Sequence, residues 1–146
     1  MSSCDGESIR RVAPETVHEI VRRIERQFAD GAERIVDCPA ALVRLDDDVE
    51  LFQDLLAFYF ADSPRLLAQV DAAISAGNAD GVHRAAHRLK ASFANFDARL
   101  AVEAAARLET IGRQGTLEDA QKAAEQLHRE AQRVTRLLRE FCPPGP

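Results

Sequence analysis

Apolar residues recur along this chain at steps of three and four with polar residues between them, and runs of strict alternation are missing. That is the period of amphipathic helices. Near the start, Val17, Ile20, Val21, Ile24 and Phe28 form such a stripe behind Pro14, a favourable first-turn residue, and Asp30-Gly31 closes it. The spacing predicts a helix of about four turns over Glu15 to Ala29. Pro39 then opens a short helix carrying Ala41, Leu42 and Leu45, and Asp46-Asp47-Asp48 suits the start of the next one by side-chain capping and the helix dipole. These three aspartates lack the alternating spacing and the glycine of a calcium loop, so they are read as caps.

From Val49 to Ala76 the pattern runs through Leu51, Phe52, Leu55, Leu56, Tyr59, Leu66, Leu67, Val70 and Ile74, interrupted by Pro64. Ser63-Pro64 also reads as a cap and first helical residue, so the stretch is one kinked helix or two nearly collinear ones. Gly77 closes it and Asn78 caps a helix with Val82, Ala86, Leu89, Phe93 and Phe96 on one face. Asp97 is expected to cap the next, through Leu100, Ala104, Leu108 and Ile111, with Gly112 to Gly115 as its closing turn. Thr116 is expected to cap a last helix carrying Ala120, Ala124, Leu127, Ala131, Val134, Leu138 and Phe141, until Pro143-Pro144 stops it. Long helices joined by short turns predict an all-α fold: an up-and-down antiparallel four-helix bundle with an additional N-terminal helix. The expected organisation is an N-terminal extension over 1–36, the bundle over 37–142 and a tail over 143–146.

Composition agrees with one helical domain. Aromatic residues are 5% of 146, Trp is absent and alanine is abundant, which disfavours a sheet. At this length a chain buries about two-thirds of its unfolded surface and needs no disulfide or structural metal. No apolar run approaches the ~20 residues of a membrane span, and Met1-Ser-Ser-Cys4 lacks the basic and apolar regions of a secretory signal, so a soluble cytoplasmic protein is expected. Cys4, Cys38 and Cys142 are far apart and without a CxxC pair, which predicts reduced thiols rather than a zinc site. A net charge of −5 argues against a general nucleic-acid surface and leaves proteins or small molecules as partners.

The chain has no Gly-rich phosphate loop, no GxSxG and no HExxH. Its informative segment is Val82 to Ala98. At 100° per residue, His87 falls about 140° from the apolar stripe of Val82, Leu89 and Phe93, on the solvent side. In the same outward sector lie His83 one turn earlier, Lys90 toward one edge, Arg84 toward the other, and Ala91 and Ala94 one to two turns later. Solvent-facing positions usually carry long polar side chains. Two alanines keep the wall beside His87 low enough for something large to approach the imidazole.

His87-Arg-Leu-Lys90-Ala91-Ser92, preceded by Ala85-Ala86 and followed by Ala94-Asn95-Phe96-Asp97-Ala98, resembles the A-H-x-L-K-G-S motif and A-N-[LF]-G-A tail of histidine-containing phosphotransfer (HPt) domains. The resemblance spans roughly residues 37 to 141. Two family glycines are replaced: Ala91 narrows access by one methyl and strengthens the helix by about 0.5–1 kcal/mol, and Asp97 tolerates a left-handed backbone. The resemblance implies that His87 accepts a phosphoryl group on a ring nitrogen from a receiver-domain aspartyl phosphate and passes it to another receiver. Lys90 would then steady the phosphate, Arg84 would add a second cation, and both would favour the neutral imidazole. His83, Ala91 and Ala94 would border the docked partner. The implied partners are receiver domains of response regulators and hybrid sensor histidine kinases, which bring the acidic pocket and Mg²⁺. The chain itself is then a phosphoryl carrier rather than an enzyme, with no cofactor, nucleotide site or metal.

Other readings compete for the same residues. His83 and His87 are four apart and could share a metal, but no third ligand is evident. The whole domain could be a helical interaction module whose histidine is never phosphorylated. His18-Glu19 is faintly similar to the phosphoacceptor box of dimerising kinases, without its proline, and His128 has no motif. The stripe from Val17 to Phe28 needs a cover. Either the chain folds it back onto its own bundle, giving a monomer, or a second copy covers it in a two-fold dimer.

Overall fold

Asp37, Asp48 and Asn78 each accept a hydrogen bond from a main-chain N–H three residues later, Ala40, Leu51 and Gly81, at 3.0–3.1 Å. Each bond satisfies an otherwise unpaired donor at a helix start. The computed structural model describes residues 11–28 and 33–142. They form helices α1 (Pro14–Arg26), α2 (Cys38–Arg44), α3 (Val49–Ser75), α4 (Ala79–Ala94), α5 (Arg99–Gln114) and α6 (Ala120–Leu138), then a 3-10 turn, Arg139–Phe141. No strand occurs among the described residues, and no helix there is long and apolar enough to cross a membrane. The fold is all-helical, as the periodicity predicts.

Helix α3 runs unbroken through Pro64, which settles the choice between one helix and two. The aspartate run divides its labour: Asp48 caps α3, while Asp46 and Asp47 take left-handed backbone angles (φ 53° and 59°) in the turn before it. Short polar side chains make that conformation accessible. Helix α1 ends at Arg26, followed by a turn at Gln27–Phe28; the expected stop at Asp30-Gly31 lies outside the described residues.

Three expected boundaries are corrected. Asp97 does not cap α5; Ala98 holds that position, and Asp97 sits at φ 49° with its carboxylate paired to Arg44 of α2. Thr116 does not cap α6, because residues 117–119 make a further turn that packs Leu117 against the core before the helix starts at Ala120. Gly112 is not in a turn but buried within α5, which ends at Gly115 (φ 81°), a left-handed position suited to glycine. A Cβ on Gly112 would lie 2.6 Å from the His83 main-chain nitrogen. The missing side chain therefore lets two helix backbones touch.

Helix α4 packs on both α3 and α5, and α6 packs on both α5 and α3, so contacts close into a ring. Inside it lie Leu56, Tyr59, Leu89, Phe93, Leu108 and Leu127, all essentially inaccessible. Tyr59 hydrogen-bonds Thr135 Oγ1 at 2.7 Å, and burial pushes its phenol up to about 12. At one end Phe52 meets Phe96 and Phe141 edge to face, with centroids 5.8 and 5.3 Å apart. Helix α1 lies against α3 and the 3-10 turn at this end. Its Val17, Ile20, Val21 and Ile24 are buried by the same chain, the first of the two alternatives for that stripe. Full burial of each such side chain contributes roughly 1.5–3 kcal/mol relative to exposure. His18 to Asp47 (2.9 Å) and Arg23 to Glu140 (2.8 Å) rim the contact.

One cysteine departs from expectation. Cys38 is a free thiol, buried and pushed up to about 12 by that burial, but Cys142 is disulfide-bonded. Spacing along a chain does not report which sulfurs a fold brings within bridging distance.

Candidate functional site

Helix α4 carries the candidate chemistry. Val82, Ala85, Ala86, Leu89 and Phe93 face the core, and His87, Arg84, Arg88, Ala91 and Ala94 are exposed. The wheel geometry thus places His87 correctly: 61% of its side chain is accessible. His83 and Lys90 are half-buried, because their side of α4 turns toward α5.

A residue the sequence reading does not single out organises this side. Glu109 of α5 is buried, with 5% of its side chain exposed, and its carboxylate lies between the two helices. Oε1 accepts from Lys90 Nζ at 2.6 Å, and Oε2 is in close contact with His87 Nδ1. The Lys90 ammonium, and after it the His87 hydrogen bond, hold the Glu109 carboxyl below its ordinary range against burial, which acts in the opposite direction. A carboxylate accepts and does not donate, so the His87 ring presents Nδ1–H to Glu109, and in the neutral ring the lone pair then lies on Nε2. His83 adds a third bond: its Nδ1 donates to the main-chain carbonyl of Glu109 at 3.2 Å. The His83 and His87 rings stack at 25°, with centroids 6.4 Å apart.

Of the residues singled out from sequence, the structure brings His87, Lys90 and His83 together around Glu109. Ala91 and Ala94 stay exposed further along α4, and Ala94 lines a separate groove with Ala40, Asp97 and Val102. Arg84 does not join the cluster. It pairs with Asp80 at 3.0 Å and lines a groove against Gln69, Ala72 and Ala73 of α3, on the far side of His87. Of the two cations expected beside the imidazole, Lys90 is in the cluster and Arg84 is not; the charge in direct contact with His87 is the Glu109 carboxylate, which Lys90 balances. One signal for Glu109 was present. It falls four residues after Ala105 and three before Gly112, on the stripe that α5 buries.

The arrangement is an exposed imidazole oriented by a buried acceptor that an ammonium also meets, a geometry in which a neutral ring can act as a nucleophile. Among the described residues no group of three or more potential metal ligands occurs. No curated protein matches the chain. Among solved structures, the crystal structure of histidine-containing phosphotransfer protein B (HptB) from Pseudomonas aeruginosa PAO1 is similar over 75% of this chain and 95% of its own, at 27% identity and a TM-score of 0.68. A family model for the Hpt domain matches residues 54–137, a span that includes α4, α5 and the whole Glu109 cluster. That match covers more than half of the sequence, and the chain belongs to the Hpt domain family.

Proposed function

We propose that His87 is the residue through which this protein performs the histidine phosphotransfer role of its family. It takes a phosphoryl group from a receiver-domain aspartyl phosphate and delivers it to the aspartate of another receiver. The observation that carries the reading is the division of the imidazole, with Nδ1 on a buried carboxylate and most of the ring in solvent. Nε2 attacks phosphorus, an N–P bond forms, and the bond from phosphorus to the aspartate oxygen breaks as its electron pair leaves with the carboxylate. The ring then carries positive charge with Nδ1 still protonated, and Glu109 offsets that charge. Transfer to the second receiver runs the same steps backward and restores the neutral ring. No proton has to leave at any stage.

Lys90 has three N–H donors, of which one meets Glu109. In this reading another of them meets a phosphoryl oxygen carried on Nε2. The receivers proposed as partners belong to response regulators and hybrid sensor histidine kinases and bring their own acidic pocket and Mg²⁺. This chain acts as a carrier without a nucleotide site. The low wall of Ala91 and Ala94 admits such a domain to His87.

Helices α3 to α6 make the up-and-down antiparallel bundle of this reading, supported by their ring of contacts and short turns. The bundle unit is placed at 37–142, because Asp37 N bonds the Phe96 carbonyl and Arg44 bonds the Ala94 carbonyl, which tie α2 to the α4–α5 turn. Residues 1–36 are the extension and 143–146 the tail. The protein is read as a monomer working in the cytoplasm.

Incubation with a phosphorylated receiver tests the function. Acid-labile, base-stable phosphate should appear on this protein and be absent from His87→Gln. A protein that takes up no phosphate would be the interaction module instead.

A further inference from the structure

We infer that His83 is a positioning residue for transfer at His87: its Nδ1–H bond to the Glu109 carbonyl fixes α5 against α4 in the register that presents the Glu109 carboxylate to His87. The inference rests on the reading of His87 as phosphoacceptor. It assigns His83 a contact within the protein, whereas its position on the α4 surface suggested contact with a docked partner.

Glu109 is held at both ends by one face of α4. Its carbonyl receives His83 at 3.2 Å, and its carboxylate receives Lys90 at 2.6 Å and His87 one turn beyond His83. The two imidazoles stand nearly parallel, at 25°, with both Nδ1 atoms turned to the same residue of α5. A carbonyl in a helix interior already accepts its own helix's N–H. The bond from His83 is thus not needed to satisfy Glu109; its effect falls on the relation between the helices.

Gly112 makes this bond reachable. A Cβ there would meet the His83 nitrogen at 2.6 Å, the Ala79 carbonyl oxygen at 2.8 Å and the His83 Cα at 2.9 Å, all main-chain atoms of α4. None of these can swing aside as a side chain would. The helices meet backbone to backbone within one turn of Glu109, and His83 ties them at that point. A small separation there would carry the Glu109 carboxylate out of reach of His87 Nδ1 and release the ring to its other tautomer.

The test compares His83→Ala with His83→Asn, measuring phosphoryl uptake from a phosphorylated receiver and the His87 tautomer by ¹⁵N NMR. Asparagine places an amide N–H where Nδ1–H stood but has nothing in place of Nε2. His83→Ala should slow uptake by about tenfold, as removal of groups that orient a reactive ligand does, and shift His87 away from its Nδ1–H form. His83→Asn should restore most of the rate and the tautomer. In a Glu109→Gln background, His83→Ala should cost little more. Gly112→Ala should reproduce the rate loss and the tautomer shift. If His83→Asn is as slow as His83→Ala while His87 keeps its native tautomer, His83 acts through Nε2 and the inference is overturned. It is equally overturned if His83→Ala transfers at the native rate. Label on His87→Gln would instead overturn the assignment of His87 on which the inference stands.

Discussion

Two glutamates are buried among the described residues, and they are satisfied in opposite ways. Glu130 on α6 draws its partners from its own helix, Gln126 at 3.1 Å and Arg133 at 2.9 Å, four residues before it and three after. Glu109 on α5 draws its carboxylate partners from α4: Lys90 at 2.6 Å and the exposed His87. Pairs three and four apart are present as soon as a helix forms, whatever packs against it. Glu109 is compensated only after α4 and α5 have met. One of its two compensating groups is an imidazole that most of its surface leaves open to solvent. Glu130 therefore reads as a local staple, and Glu109 as a group placed for another residue's chemistry.

The most severe break of that contrast removes the imidazole. His87→Gln should carry no acid-labile phosphate after exposure to a phosphorylated receiver, while circular dichroism and thermal unfolding stay close to native. The side chain is mostly exposed, and Glu109 keeps its bond to Lys90. Persistent label would turn attention to His83 as the acceptor.

The contrast itself is tested by the same substitution at both glutamates. Glu109→Gln should slow transfer by about 10–100-fold, the range for groups that orient a reactive ligand, whereas Glu130→Gln should leave transfer unchanged and cost roughly 1–3 kcal/mol in urea unfolding. Equal rates for the two variants would end the distinction. Acid pH sharpens it. Because the folded protein holds the Glu109 carboxyl below its ordinary value of 4.5, the stability it contributes is complete above that pH and is lost as pH falls through the lower folded value. Glu109→Gln should therefore lose less stability than wild type between neutral and strongly acid solution, measured by urea midpoints across that range.

At the opposite end of the molecule the chemistry is absent and the packing is dense. Ile24 is fully buried between α1 and the bundle, and Ile24→Ala should cost about 2–5 kcal/mol of unfolding free energy with no change in transfer rate. A stability loss accompanied by slower transfer would mean that α1 contributes to the site as well as to the core.

How much of this was readable beforehand follows from where each decision is made. The stripes of α1, α4 and α6 are local patterns, so the helices and the outward angle of His87 followed from spacing alone. Asn78 could be read as a cap because its bond to Gly81 stays within its own turn. Asp97 and Thr116 looked equally suited to capping, but a charge pair with Arg44 took the first and packing of Leu117 displaced the second. Gly112 reads as a turn residue unless the backbone of α4 is known to lie against it. Glu109 falls on the stripe that α5 buries, which marks it as unusual, but nothing within its own helix announces that His87 and Lys90 will arrive from α4.

The smallest expected effect separates two cations that the helical wheel treats alike. Lys90 is half-buried on Glu109, whereas Arg84 is 70% exposed and paired with the equally exposed Asp80. Lys90→Ala leaves a buried carboxylate with one partner fewer and removes the ammonium that shares Glu109 with His87, so it should slow transfer at any ionic strength. Arg84→Ala removes an exposed pair, which contributes no more than about 0.3–0.5 kcal/mol to stability. Its influence on transfer is limited to long-range attraction of an acidic receiver, and such attraction is screened over about 10 Å at 0.1 M salt. Uptake rates for both variants and wild type, measured from low to high salt, give the decisive pattern. The Arg84→Ala curve should merge with wild type as salt rises, and the Lys90→Ala curve should stay below it throughout. A salt-independent deficit in Arg84→Ala would place that arginine in contact with the bound receiver, and the α3-facing side of α4 would then belong to the docking surface.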